Sequence, residues 1–436
     1  MVQRFVKLIC ALALVLLLSF TAVAIDEPLT AISGEEGMHL SQVAAAAVYN
    51  IENDTVIFSH NADAVLPTAS FTKIMTAVCA YEVLSDRLDE SITVTSEMLA
   101  GSNAAKHYGY KAGDTVSVRT LFAGMLMVGY NDCAHILACV AKGSIENFVA
   151  YMNEKALALG MKDTVYKNVT GLDAEGMVTS ANDSIIIATE FYKNHFLKET
   201  AGLMSFEGTR FKNQNKLLLS ESGLNPYYDS RIIGINTGMT FSAGWYVASA
   251  VEDEALSYII VVLGGRSTEE ESNPEYLLTS ELADYAFDGY GYVDVIKTSG
   301  VVCEIPVNLS TDSDYVTLVP ASSLTLYLPL SVDVTKDLVY SYRLNSDSLD
   351  APITEGQVVG SYTVSQNGNI LGSVDLVTKN SLSRSEFLVV LDSIENFTQS
   401  TFFVVTVISI VVLTVAYFII SAILRHRRRN RHYGRR

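Results

Sequence analysis

Between residues 43 and 265, short strand-like runs of apolar residues alternate with segments in which apolar residues recur every three or four positions. Short runs are typical of strands, and the longer spacing is typical of amphipathic helices. The mixture predicts an α+β domain built on an antiparallel sheet. The predicted strands are residues 43–49, 55–59, 244–251 and 258–263, and the predicted helices begin at Phe71 and Val118.

Beyond residue 292 the pattern changes to short runs rich in β-branched and aromatic residues, separated by turn residues. Asn367-Gly368 lies between the last two runs, and this pair is a strong signal for a tight hairpin turn. We therefore predict a small all-β domain over residues 292–380, followed by a connector over residues 381–401. Its predicted strands are residues 301–307, 315–320, 324–328, 338–344, 357–364 and 370–377.

The N-terminal residues 1–24 predict a signal peptide. They combine Arg4 and Lys7, an apolar run and Ala22-Val23-Ala24, which is the order of charge, apolar core and small residues in a secretory signal. The α+β domain is then expected to occupy residues 25–291. A retained N-terminal anchor is the alternative, although the apolar run is short for a full membrane span.

The C-terminal end predicts a membrane helix. Residues 402–424 contain no charged side chain and, as a helix, are long enough to cross a bilayer. The tail at residues 425–436 carries seven arginines. Because positive charge is retained on the cytoplasmic side, we expect a single-pass protein with its large domain outside the cell and its tail in the cytoplasm.

Charge and composition exclude several classes of function. The 436-residue chain has 48 acidic and 30 basic residues, a net charge of −18, and all the acidic residues lie between the two apolar ends. Such a surface repels phosphate, so nucleic-acid binding is not expected. The cysteines and histidines are scattered without the spacing of a metal site. We therefore expect neither a metal nor a cofactor.

The strongest chemical signal is Ser70-Phe71-Thr72-Lys73 at the start of an apolar helix. Positions three apart share one face of a helix, so the Ser70 hydroxyl and the Lys73 amine can meet. A serine becomes a nucleophile when a base takes its proton, and a buried lysine can be that base because burial disfavours the ammonium form. Alone, the motif is also compatible with a capping serine and a solvated lysine.

The segments around this motif resemble the penicillin-binding D-alanyl-D-alanine carboxypeptidases, which are low-molecular-mass members of the serine β-lactamase and transpeptidase-like superfamily. The resemblance extends over nearly the whole outer region and into the β domain. It implies a transpeptidase-like domain, with helices flanking an antiparallel sheet, followed by a small all-β domain. The similar segments are residues 67–77, 131–134, 148–160, 168–173, 179–183, 215–218, 237–238, 351–352 and 355–360.

The resemblance assigns roles to the residues that match the family's three motifs. Ser70 would be the nucleophile and Lys73 its base, while Asn131 would hold the substrate's amide. The third motif reads Asn236-Thr237-Gly238 and is followed by Met239. The backbone amides of Ser70 and Met239 would form the oxyanion hole, and the Thr237 hydroxyl would help to bind the terminal carboxylate.

Two residues depart from the family pattern. Gly129 stands where the second motif has a serine, so the hydroxyl that relays a proton to the leaving amine is missing. Asn236 replaces the lysine of the third motif, so the charge that attracts the substrate carboxylate is missing. Tyr130 could supply a hydroxyl, although a cleft-lining aromatic is the favoured interpretation.

These residues predict a serine-type D-Ala-D-Ala carboxypeptidase, a hydrolase that acts on peptidoglycan stem peptides through an acyl-enzyme on Ser70. β-Lactams would acylate the same serine. The alternative is a catalytically degenerate homologue that binds peptidoglycan or a partner as a scaffold. A β-lactamase is a weaker interpretation, because the sequence offers no dedicated base for deacylation.

Overall fold

The computed structural model describes residues 38–102, 105–220, 225–253, 255–269 and 272–433. The predicted signal peptide lies outside the described residues. The chain divides into two compact units. The first extends to Gly291 and includes Pro329–Ser331, and the second comprises Tyr292–Leu328 and the chain from Val332 onward.

The first unit is built on a five-stranded antiparallel sheet. Its strands are β1 (Ala45–Asn50), β2 (Thr55–His60), β3 (Leu66–Pro67), β4 (Ser91–Thr93), β5 (Thr115–Ser117), β6 (Val178–Thr179), β7 (Asn236–Thr240), β8 (Gly244–Asp253) and β9 (Leu256–Gly265). The central sheet has the order β2-β1-β9-β8-β7, and the remaining strands form the two short pairs β3-β6 and β4-β5. β8 and β9 contain the predicted strands at residues 244–251 and 258–263 and pair with each other, and β7 lies at one edge of the sheet.

Helices cover both faces of this sheet. They are α1 (Thr72–Leu84), α2 (Val118–Ala123), α3 (Asn131–Lys142), α4 (Ile145–Ala158), α5 (Ala181–Tyr192), α6 (His195–Gly202) and α7 (Pro274–Gly289). Ile259 and Val261 of β9 join a core that also contains Ile74 of α1. Side chains alternate across a strand, so Tyr258 faces the other way, and its hydroxyl donates to the Ala286 carbonyl of α7 at 3.3 Å.

The second unit contains the all-β region. Its sheet elements are β10 (Tyr290–Ile296), β11 (Cys303–Asn308), β12 (Tyr315–Pro320), β13 (Leu324–Pro329), β14 (Val339–Leu344), β15 (Leu349–Asp350), β16 (Val358–Gln366) and β17 (Asn369–Thr378). Six of these strands form one sheet in the order β14-β16-β17-β12-β11-β15. Asn367 and Gly368 both have positive φ, at 51° and 87°, which is the backbone that the predicted tight turn requires.

Two helices end the chain, α8 (Glu386–Gln399) and α9 (Thr401–Tyr433). Thr401–Arg425 has a mean hydropathy of 2.8, and it is the one helical segment among the described residues that is long and apolar enough to span a membrane. The predicted apolar C-terminal helix is therefore present.

Candidate active site

Ser70 and Lys73 meet at the start of α1, as their spacing predicts. Ser70 lies in a short 3₁₀ turn, Ala69–Phe71, that leads directly into the helix, and its side chain is half-buried. Lys73 is only 1% exposed. Its Nζ donates to Ser70 Oγ at 3.2 Å and to the Thr170 carbonyl at 2.7 Å. The serine is therefore reachable from solvent while the amine beside it is enclosed.

The environment of Lys73 favours its neutral form. Burial, and to a smaller extent the nearby positive charge of Lys106, lower the pKa of Lys73 from 10.5 to about 7. Both effects disfavour the ammonium form, because a charge is costly in an apolar site and beside another cation. Roughly half of the Lys73 side chains are thus neutral at pH 7 and can accept the Ser70 proton.

A backbone loop holds the nucleophile in place. Gly171 has φ +81°, and a Cβ on it would lie 1.7 Å from the Ala69 carbonyl oxygen and 2.7 Å from Ser70 Cα. Only a glycine permits this approach. The Asn168 side chain shapes the loop, since its Oδ1 accepts from the N–H groups of Thr170 and Gly171 at 3.1 and 2.7 Å. Ala69 itself has φ +46°, a strained backbone directly before the nucleophile.

Asn131 begins helix α3, which packs against α1. It is 3% exposed, and its backbone N–H donates to the Lys106 carbonyl at 2.9 Å. The next residue, Asp132, is 1% exposed and secures the neighbouring loop. Its carboxylate accepts from the backbone N–H groups of Tyr108, Gly109 and Tyr110 at 3.0, 2.8 and 3.3 Å. Asp132 therefore ties the loop at residues 108–110 to the start of α3.

Gly129 and Tyr130 lie at the turn that precedes α3. Gly129 ends a π-helical turn at φ +85° and ψ 24°, a left-handed backbone that favours glycine. The Tyr130 ring packs edge-to-face on Tyr108 and Phe211, at centroid distances of 5.7 and 5.6 Å. None of the described hydrogen bonds joins the Tyr130 hydroxyl to Ser70. This packing supports the interpretation of Tyr130 as a cleft-lining aromatic.

The third motif lies on the edge strand β7. Asn236 is 5% exposed, whereas Met239 is 49% exposed. The Thr237 hydroxyl is engaged with the Tyr276 hydroxyl at 2.9 Å and with the Tyr246 carbonyl at 3.2 Å. Gly238 lies opposite Tyr246 in the register of β7 and β8. The third motif therefore begins with a buried side-chain amide, that of Asn236, and is followed by an exposed side chain, that of Met239.

Sequence reasoning missed four residues that shape the site: Tyr246, Asp132, Asn168 and Gly171. Asn168 and Gly171 fall within a segment that resembles the family. The sequence of this segment does not indicate that its loop approaches the start of α1. In the sequence, Tyr246 occupies a strand position that is typical of a core residue. Its cross-strand neighbour depends on the register of β7 and β8, and a register is fixed by the folded sheet.

A partly exposed serine bonded to a buried lysine of lowered pKa, at the edge of an antiparallel sheet, is the arrangement of a serine hydrolase. The chain belongs to the D-alanyl-D-alanine carboxypeptidase family, whose model matches residues 35–267. A second model, the C-terminal domain of penicillin-binding protein 5, matches residues 290–384.

Curated relatives and solved structures agree with this assignment. The D-alanyl-D-alanine carboxypeptidase DacA of Escherichia coli strain K12 is 30% identical over 343 residues, which cover 76% of this chain and 81% of the relative. DacF of Bacillus subtilis strain 168 is 28% identical, with coverages of 82% and 92%. The structure of penicillin-binding protein 6B from Escherichia coli aligns with a TM-score of 0.57 at 22% identity, covering 77% of this chain and 95% of that one. The structural likeness establishes the fold.

Proposed function

We propose that this protein is a serine-type D-alanyl-D-alanine carboxypeptidase that removes the terminal D-alanine from peptidoglycan stem peptides through an acyl-enzyme on Ser70. The observation that carries this proposal is the 3.2 Å contact between Ser70 Oγ and the enclosed Lys73 Nζ. The family match and the DacA and DacF relatives support the substrate class. The named roles of the remaining site residues are part of the proposal.

The reaction has two stages. Neutral Lys73 takes the Ser70 proton as Oγ attacks the carbonyl carbon of the penultimate D-alanine, and the developing negative charge lies toward the amides of Ser70 and Met239. The C–N bond then breaks, and the proton leaves on the amine of the released D-alanine. Water, deprotonated by Lys73, hydrolyses the ester and restores Ser70. Asn131 holds the peptide amide. Thr237 turns its hydroxyl from Tyr276 to the terminal carboxylate.

A non-catalytic scaffold accounts less well for the same residues. A lysine with a pKa of about 7 carries a folding cost of roughly 5 kcal/mol at low pH, from about 1.4 kcal/mol for each pKa unit. A binding surface gains nothing from an enclosed amine beside a strained serine turn. A nucleophile and base gain the reactivity that the reaction needs.

Covalent labelling tests the nucleophile. The purified full-length protein in detergent is incubated with a reactive β-lactam, and the adduct is mapped by mass spectrometry. We expect one adduct on the peptide that contains Ser70, no adduct in Ser70→Ala and much slower labelling in Lys73→Ala. Ser59→Ala is the matched control, because Ser59 is exposed on β2 at the far edge of the sheet. Equal labelling of Ser70→Ala would refute the proposed nucleophile.

A turnover assay distinguishes a carboxypeptidase from a non-catalytic scaffold. Release of D-alanine from a pentapeptide ending in D-Ala-D-Ala is measured for the wild type and for Ser70→Ala. The enzyme releases D-alanine in repeated turnovers, and the variant releases none. A wild type that binds the pentapeptide and forms the β-lactam adduct, yet releases no D-alanine, would support the scaffold instead.

We also propose that α9 anchors the protein as a single membrane span, with the catalytic unit outside the cell. The apolar segment Thr401–Arg425 supports a span. Arginines concentrated after it support a cytoplasmic tail. An outward catalytic unit would face the peptidoglycan that it acts on.

A further inference from the structure

A tyrosine lies directly beneath the nucleophile. Tyr246 of β8 is 2% exposed and belongs to the same core as α1. Its ring packs edge-to-face on Phe71 at a centroid distance of 5.7 Å, next to Ser70 in the chain. The ring passes under β7, because its backbone pairs with Gly238. A buried tyrosine hydroxyl needs polar partners, and here it finds them in the active site.

The Tyr246 hydroxyl joins two residues of the catalytic motifs. It donates to Asn236 Oδ1 at 2.5 Å. It also interacts with the Ser70 side chain: burial raises the pKa of Tyr246, and the hydrogen-bonding effect of Ser70 lowers it to a smaller extent. A phenol has one proton, and Asn236 takes it, so Ser70 is the donor in the second bond. With Lys73 donating to Ser70, the bonds run in one direction, from Lys73 through Ser70 and Tyr246 to Asn236. In this arrangement Lys73 is protonated and the Ser70 proton points to Tyr246. When Lys73 is neutral, the Ser70 hydroxyl turns its proton to the Lys73 nitrogen before the attack.

The backbone of β7 leaves space for the Tyr246 hydroxyl. A Cβ on Gly238 would lie 2.7 Å from Tyr246 Oη, so the glycine leaves the room that the phenol occupies. Asn236 must present an oxygen to accept the phenol proton. A lysine at position 236 has only donors and could not accept the phenol proton. Asn236 and Tyr246 therefore fit each other as acceptor and donor.

We propose that Tyr246, held by Asn236, is the positioning residue for Ser70 and takes the place of the lysine that the third motif lacks. The inference rests on the proposed function, because it assigns Ser70 as the nucleophile. Tyr246 is enclosed and acts through Ser70. It keeps the Ser70 oxygen beside Lys73 and does so with a neutral group. Burial raises the pKa of Tyr246 well above 10, which keeps the phenol protonated as this role requires.

Removing one hydroxyl tests the role. Tyr246→Phe keeps the ring and deletes the bonds to Ser70 and Asn236. We expect the acylation rate constant for a β-lactam and the kcat for the pentapeptide to fall about tenfold to a hundredfold, with KM little changed because the hydroxyl does not touch the substrate. Tyr166→Phe is the matched control, because Tyr166 is equally enclosed and its hydroxyl has no partner among the described hydrogen bonds. A Tyr246→Phe protein that acylates as fast as the wild type would overturn the proposal.

Substitutions at positions 236 and 246 test whether Tyr246 takes the place of the lysine that the third motif lacks. Asn236→Lys alone should slow acylation, because the ammonium competes with the phenol for one space. Tyr246→Ala alone should slow acylation, because Ser70 loses its partner. The double variant Tyr246→Ala/Asn236→Lys should be faster than either single variant, since the lysine can then reach Ser70. A double variant no faster than Tyr246→Ala would contradict the exchange.

A crystal structure of the wild type gives a result that is independent of turnover. Tyr246 Oη within hydrogen-bond distance of both Ser70 Oγ and Asn236 Oδ1 supports the proposal, and a hydroxyl bonded to neither overturns it. If the wild type takes no β-lactam label, the proposed function fails, and the crystal structure still decides whether Tyr246 positions Ser70.

Discussion

At the scale of the residue, the reactivity that we propose for this site depends on the burial of one amine, that of Lys73. An exposed lysine with a pKa of 10.5 would be neutral in fewer than about one molecule in a thousand at pH 7. Enclosure of Lys73 lowers its pKa to about 7 and leaves a large neutral fraction. The motif Ser-x-x-Lys predicts that the two side chains meet. It does not predict the burial, because burial depends on the loop that carries Thr170 and Gly171.

The rate of Ser70 acylation should therefore follow the ionisation of Lys73. Below pH 7 the amine is mostly protonated, so the rate should rise about tenfold per pH unit and level off above pH 7. Lys106→Gln removes a neighbouring positive charge, which raises the pKa of Lys73 and should move the midpoint to higher pH. Stopped-flow acylation between pH 5 and 9 measures both. A rate independent of pH, or a midpoint moved downward in Lys106→Gln, would contradict Lys73 as the base.

At the scale of elements, local sequence patterns predicted the strands and the tight turn. They did not predict the contacts between elements that are distant in sequence. The runs at residues 55–59 and 315–320 became β2 and β12 with nearly the same bounds, because strand patterning is local. The tight turn at Asn367-Gly368 followed from residue type. The approach of Gly171 to Ala69 and the register that places Tyr246 under Gly238 join segments far apart in sequence. Such contacts depend on tertiary packing.

The loop at Gly171 can be tested against a glycine with the same backbone. Gly171 and Gly160 both have φ +81°, so alanine at either position carries a similar strain of about 1–2 kcal/mol. A Cβ on Gly160 meets nothing within 4 Å, whereas one on Gly171 collides with the Ala69 carbonyl. We expect Gly160→Ala to lower the melting temperature slightly and to keep the acylation rate. Gly171→Ala should lower the melting temperature further and abolish acylation.

Equal effects of the two substitutions would show that backbone strain alone governs both positions. Normal acylation by Gly171→Ala would show that Ser70 does not depend on the approach of the loop. Thermal unfolding followed by circular dichroism, with β-lactam labelling of the same samples, separates these results.

At the scale of the whole molecule, the chain consists of a long acidic region, an apolar segment and a basic tail. The acidic residues all precede residue 402, and seven arginines follow the uncharged stretch at residues 402–424, which lies within helix α9. A charged side chain is costly inside a bilayer, so the apolar segment separates the acidic part from the basic tail. The distribution was readable from the sequence, because it depends on composition and on the length of one helix.

The orientation that we propose in the membrane rests on the same distribution of charge and hydropathy. In spheroplasts, added protease should degrade the catalytic unit and spare a tag placed after Arg436, because the arginine-rich tail stays in the cytoplasm. Detergent should expose the tag, which shows that the protease can cleave it. Replacing the five arginines between residues 425 and 431 with glutamine should weaken the orientation and expose the tag in part of the molecules. A catalytic unit protected in spheroplasts and degraded only after detergent would place it on the cytoplasmic side, where it could not reach peptidoglycan.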